Sequence, residues 1–94
     1  MVSASSEVVA DVVLPADLHA RPAGQVTRAV APLDAVVHLS ARDGSEVDAR
    51  SVLAVMGLGA VAGDTVRVRA SGPDASAAVT AVTALLAAAE AVAG

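Results

Sequence analysis

Two histidines, six arginines and no cysteine set the chemistry open to this 94-residue chain. His19 stands in Asp17-Leu18-His19-Ala20-Arg21-Pro22-Ala23-Gly24, at the expected junction of a first strand and a first helix. A helix start leaves backbone N–H groups without partners and attracts anions. Arg21 adds a planar two-donor grip for phosphate, and Pro22 fixes the helix start. An imidazole nucleophile beside such a cradle suits a covalently held phosphoryl group. A histidine there can equally be a plain cap, and the residues alone leave both readings open. His38, between Val37 and Leu39, reads as an outward residue of a strand.

Other constellations fail on spacing. Gly57-Leu58-Gly59-Ala60-Val61-Ala62-Gly63 departs from a dinucleotide loop because its last glycine falls one residue late, and it follows a short helix rather than a strand. Asp11, Asp34, Asp43, Asp48, Asp64 and Asp74 fall at turns, strand ends and a helix start, so no glycosidase-like pair can be argued. Two distant histidines do not make a metal site, and no metal is expected. The absence of cysteine excludes disulfides, thiolate catalysis and iron–sulfur clusters.

The elements that must position His19 follow from periodicity. Glu7 to Val13 is valine-rich and ends near Pro15, a strand signature. After Pro22, the residues Val26, Ala29, Val30 and Leu33 form one apolar helical stripe, closed by Pro32 and Asp34. Ala35, Val37 and Leu39 alternate as in a strand, and Asp43-Gly44 signals a two-residue hairpin leading into Ser45 to Asp48. Ser51 caps a short helix, Val52 to Met56, that stops at Gly57 and Gly59. Thr65 to Ala70 is a strand with Val66, Val68 and Ala70 on one face and Arg67 and Arg69 on the other. Pro73 and Asp74 open a last helix with Val79, Val82, Leu86 and Ala89 on its buried side. The economical arrangement is α+β: an open-faced β-sandwich with a four-stranded, mostly antiparallel sheet and three helices packed on one face. One domain is expected over residues 1–94, with residues 1–6 a frayed lead-in.

Composition agrees with a small domain and narrows its partners. The chain holds 24 alanines, 18 valines, 8 leucines and no aromatic residue, so its core is thin but easily packed. A net charge of −4 with no aromatic to stack a base argues against nucleic acid. Mean hydropathy is +0.67, yet Asp, Arg, Glu or Gly interrupts every apolar stretch within about ten residues, short of the ~20 needed to span a membrane. The first residues lack the features of a signal peptide, so a soluble cytoplasmic protein is expected.

Leu18-His19-Ala20-Arg21-Pro22-Ala23 resembles the active-site signature of HPr, the histidine-containing phosphocarrier family of the sugar phosphotransferase system. A second block, Val47 to Gly59 around Ser51, is similar to the family's regulatory-serine segment. The resemblance runs in order over about residues 7 to 92. It implies a carrier rather than an enzyme, working as a monomer without a cofactor. His19 would accept a phosphoryl group on Nδ1 from phosphorylated enzyme I and pass it to IIA domains of sugar permeases. Ala20, Arg21 and Pro22 would cradle the phosphate, and Ser51 matches the serine modified by HPr kinase in some bacteria. Docking would fall on Ala20, Gly24, Arg28, Val52, Leu53 and Met56.

Departures from the family pattern are local. Ala16 replaces a common Asn or Ser, and Asp17 replaces a common glycine, placing a negative charge that is expected either to slow phosphoryl uptake or to make the imidazole more basic. Arg28 is the only basic residue left on the docking side of the first helix. A carrier for another phosphorelay (a dihydroxyacetone kinase or nitrogen-regulatory branch) would need the same chemistry with a different partner. A non-transferring regulatory module of the same fold is a further alternative, which the presence of both His19 and Arg21 disfavours.

Overall fold

Val8, Ala10 and Val12 turn toward the core while Val9, Asp11 and Val13 are exposed, and this period of two makes strand β1 (Val8–Val13). The computed structural model describes residues 7–89; the lead-in expected at residues 1–6 lies outside them. The remaining elements are α1 (Ala20–Val30), β2 (Val36–Ser40), β3 (Glu46–Asp48), α2 (Val52–Gly57), β4 (Thr65–Ser71) and α3 (Ala75–Ala87). This is the order expected from periodicity.

The strands form one sheet in the order β1-β4-β2-β3, and all three pairings are antiparallel. Val37, Leu39, Val66, Val68 and Ala70 point to its covered face, where α3 packs against β1, β4 and β2. α1 lies beside α3 and α2, so the helices share one side of the sheet. Val26, Val30, Val55, Val82 and Leu86 complete a core that holds no polar residue among the described residues. Buried Ala23, Ala75 and Ala78 let the layers approach closely without aromatic filling. The uncovered face is ionic: Arg67 Nε donates to Asp11 at 2.9 Å, and Arg69 donates to both Glu7 and Glu46.

Element ends differ from the sequence expectation for identifiable reasons. α1 starts at Ala20, so Pro22 is its third residue; a first-turn position needs no N–H, and proline is tolerated there. Leu33 and Ala89 lie just beyond the helices whose stripes they extend. The β2–β3 hairpin is not a two-residue turn. Gly44 N–H donates to Ala41 O at 3.0 Å, Ala41 N–H donates to Ser45 O at 2.9 Å, and only Gly44 has a positive φ, at 90°. That is a three-residue loop, because a two-residue type I′ turn would need Asp43 left-handed as well. Asp74 is positioned as the cap of α3, yet its carboxylate accepts from Asp34 N–H instead of from its own helix.

Candidate functional site

The segment between β1 and α1 is strapped to the loop between α2 and β4. Leu14 N–H donates to Asp64 O at 2.9 Å, Gly63 N–H to Leu14 O at 2.8 Å, and Leu18 N–H to Ala60 O at 3.0 Å. Leu14, Ala16 and Leu18 are buried in alternation, which leaves Asp17 and His19 facing outward. A further strap runs from Ala62 N–H to Asp17 Oδ1 at 2.8 Å. The residue expected to carry chemistry therefore leaves a braced segment rather than a loose loop.

His19 is the N-cap of α1, with φ −84° and ψ −174°, but its side chain makes no capping hydrogen bond. Its carbonyl accepts from Ala23 N–H at 3.1 Å and starts the helix, while the imbedded part of the turn is Pro22 and Ala23, both buried. The imidazole is 55% exposed and has one charged neighbour, Asp17, whose Oδ2 lies 3.7 Å from Nε2. The plain-cap reading therefore does not describe this histidine. Ala20 and Arg21 are first-turn residues whose N–H groups have no intrahelical acceptor. Pro22 has no N–H, so within the expected cradle it holds backbone shape and the donors are Ala20 and Arg21. The Arg21 guanidinium is exposed and has no hydrogen-bond partner among the described residues.

Ser51 is an exposed N-cap whose Oγ accepts from Ala54 N–H at 3.1 Å. Thr27 Oγ1 donates to Ala49 O at 3.1 Å and draws α1 toward the start of α2. Among the expected docking residues, Ala20 and Arg28 are exposed, and Arg28 folds back so that Nη1 lies 3.5 Å from where a Gly24 Cβ would stand. Val52 is half-buried and packs against the core. The apolar surface here consists of Leu53, 81% exposed, and Met56, 38% exposed.

His38 lies on the uncovered face of β2, opposite Arg69 and Asp48 and on the other side of the sheet from the helices. A shallow depression of about 440 Å³ on that face, lined by residues including Asp11, Arg42, Glu46 and Arg67, shares no residue with the His19 surroundings. Among the described residues, no three His, Cys, Asp or Glu side chains gather as a metal site, and no helix is long and apolar enough to cross a membrane. Sequence reading missed Arg50, whose guanidinium donates to Ala31 O, Leu33 O and Ala35 O at 3.0–3.2 Å and so closes the turn after α1. A lone arginine before a helix carries no local signal of such a role.

An open-faced sandwich with an exposed histidine at the start of its first helix is compatible with a small phosphoryl-carrier domain, and comparisons with known proteins supply that class. The family model for the PTS HPr component phosphorylation site matches residues 6–88. Phosphocarrier protein HPr of Cupriavidus necator is 40% identical over 70 residues, covering 74% of this chain and 78% of the relative. Phosphocarrier protein HPr of Haloferax volcanii is 43% identical over 81 residues, covering 84% of this chain and 91% of the relative. The crystal structure of HPr from Bacillus anthracis superposes with a TM-score of 0.78 at 28% identity, over 86% of this chain and 98% of that one. The chain belongs to the HPr family of the phosphotransferase system, whose members are phosphocarriers rather than enzymes.

Proposed function

We propose that the chain accepts a phosphoryl group on Nδ1 of His19 from phosphorylated enzyme I and delivers it to IIA domains of sugar permeases in the cytoplasm. The observation that carries this reading is the exposed imidazole of His19: it occupies a helix N-cap but is not used as a cap. The open N–H groups of Ala20 and Arg21 and the exposed Arg21 guanidinium offer donors for the phosphate oxygens. The exposed Arg28, Leu53 and Met56 would offer basic and apolar surface to both partners. Ser51 has a regulatory role in this reading, as a hydroxyl beside that surface open to a kinase.

The test is incubation with enzyme I and labelled phosphoenolpyruvate. Wild type and His38→Ala should acquire acid-labile phosphate at similar rates, and His19→Ala should acquire none. Labelling of the His19→Ala protein would overturn the assignment.

A further inference from the structure

Asp17 presents one carboxylate oxygen to the ring nitrogen of His19 that the proposed chemistry does not use. Oδ2 lies 3.7 Å from Nε2, within ion-pair range though longer than a hydrogen bond. The other oxygen, Oδ1, is held by Ala62 N–H at 2.8 Å, and the neighbouring Leu18 N–H is held by Ala60 O at 3.0 Å. The carboxylate is thus anchored on a braced segment, with its free oxygen toward the imidazole.

We propose that Asp17 is a positioning residue that holds the His19 proton on Nε2 and leaves the Nδ1 lone pair free to take phosphorus. The inference rests on the reading of His19 as phosphoryl acceptor. A neutral imidazole carries one ring proton, and the partner of one nitrogen decides which nitrogen keeps it. A carboxylate at Nε2 can only accept, so it selects the Nε2–H form. In the transfer step the Nδ1 lone pair forms the bond to phosphorus. The bond from phosphorus to the donor breaks, and its electron pair leaves with the donor. The Nε2 proton stays where it is, and the positive charge that develops on the ring faces the Asp17 carboxylate. Repulsion between that carboxylate and the incoming phosphate is opposed by Arg21 and the helix N–H groups. The charge expected from sequence to impede uptake is, in this geometry, aimed at the ring.

Asp17→Asn tests this directly, because it keeps an oxygen for Ala62 N–H while presenting an NH₂ donor to Nε2. That donor favours the opposite, Nδ1–H form. Ring ¹⁵N shifts of the unphosphorylated protein should show the Nε2–H form dominant in wild type and reduced in Asp17→Asn. Uptake from phosphorylated enzyme I should fall about 10-fold in the variant, the lower end of the loss seen when the carboxylate partner of a metal-ligating histidine is removed, taken by analogy. Asp17→Glu retains a carboxylate and should recover part of both readouts. Unchanged ring shifts in Asp17→Asn, or uptake at or above the wild-type rate, would overturn the proposal. Failure of the wild-type protein to label at His19 would overturn the carrier reading instead, and the ring shifts would still decide whether Asp17 sets the proton.

Discussion

Asp34 and Asp74 hold each other across the fold. The N–H of Asp34 donates to Oδ2 of Asp74 at 2.7 Å, and the N–H of Asp74 donates to the carbonyl of Asp34 at 3.0 Å. The pair ties the entry of β2 to the start of α3. It forms only because Gly72 lets the chain pass close by: φ is 110° there, and a Cβ would stand 3.0 Å from Asp34 O.

Gly72→Ala should therefore destabilise the protein by about 1–3 kcal/mol, combining a left-handed backbone with a backbone contact that cannot yield. Asp74→Ala should cost about 1 kcal/mol for the lost hydrogen bond, whereas Asp34→Ala should be near neutral, since Asp34 contributes only backbone to the pair. Thermal or urea melts of the three variants check the ranking.

Arg21→Lys should slow phosphoryl uptake while leaving the melting temperature within error of wild type. The guanidinium is exposed and unpartnered among the described residues, so nothing in the fold depends on it. Lysine keeps the charge but loses the planar pair of donors. A rate equal to wild type would mean that the N–H groups of Ala20 and Arg21 suffice.

Ser51→Ala should cost about 1 kcal/mol, because it removes the acceptor for Ala54 N–H. Ser51→Asp should melt no earlier than wild type, since aspartate also caps and its charge suits a helix start. It should nonetheless accept phosphate from enzyme I more slowly, because a negative charge then borders the apolar surface of Leu53 and Met56. Early melting or an unchanged rate would remove Ser51 as an electrostatic switch.

Acid should loosen the uncovered face of the sheet. The Arg67 guanidinium holds the Asp11 carboxyl below its ordinary value, the Arg69 guanidinium does the same for Glu46, and the Ser45 hydroxyl does so for Asp43. Each native carboxylate then releases its proton at lower pH than the unfolded chain does. Their stabilisation is complete above the unfolded values near 4 and is lost as pH falls through the depressed native ones. These carboxylates are accessible to solvent, so the effect should be small and weaken in salt. Melting temperatures from pH 6 to pH 2 should fall less steeply for Asp11→Asn/Glu46→Gln than for wild type.

What was legible in the sequence was whatever depends on near neighbours. Alternation over Val66 to Ala70 and the stripe of Val26 and Val30 place strands and helices correctly, because burial of one face is a local pattern. The His19 segment stands out in the sequence because a histidine, an arginine and a proline fall within four residues. Contacts between side chains and distant backbone were not. Arg50 reaching Ala31, Leu33 and Ala35, Asp74 leaving its own helix for Asp34, and Ala62 fixing Asp17 all require the folded chain to bring the partner in. The hairpin loop differs from the expectation on a smaller point: Asp-Gly fits two turn types, and which one forms depends on the backbone of the residue before the glycine.

The sheet order also dictates a timetable for synthesis. Among the described residues β1 pairs only with β4, and the register joins Val8 to Ala70 and Val13 to Thr65, separations of 62 and 52 positions. As the chain leaves the ribosome, the β2–β3 hairpin can close on itself at once, while the valine-rich β1 waits for most of the domain to appear. Asp11 sits in the middle of that waiting strand, and its charge interrupts what would otherwise be a continuous apolar segment able to pair with another nascent chain. Pulse-labelled hydrogen exchange during refolding should find amides of β2 and β3 protected before those of Val8–Val13; the reverse order would show that the ends of the chain meet first.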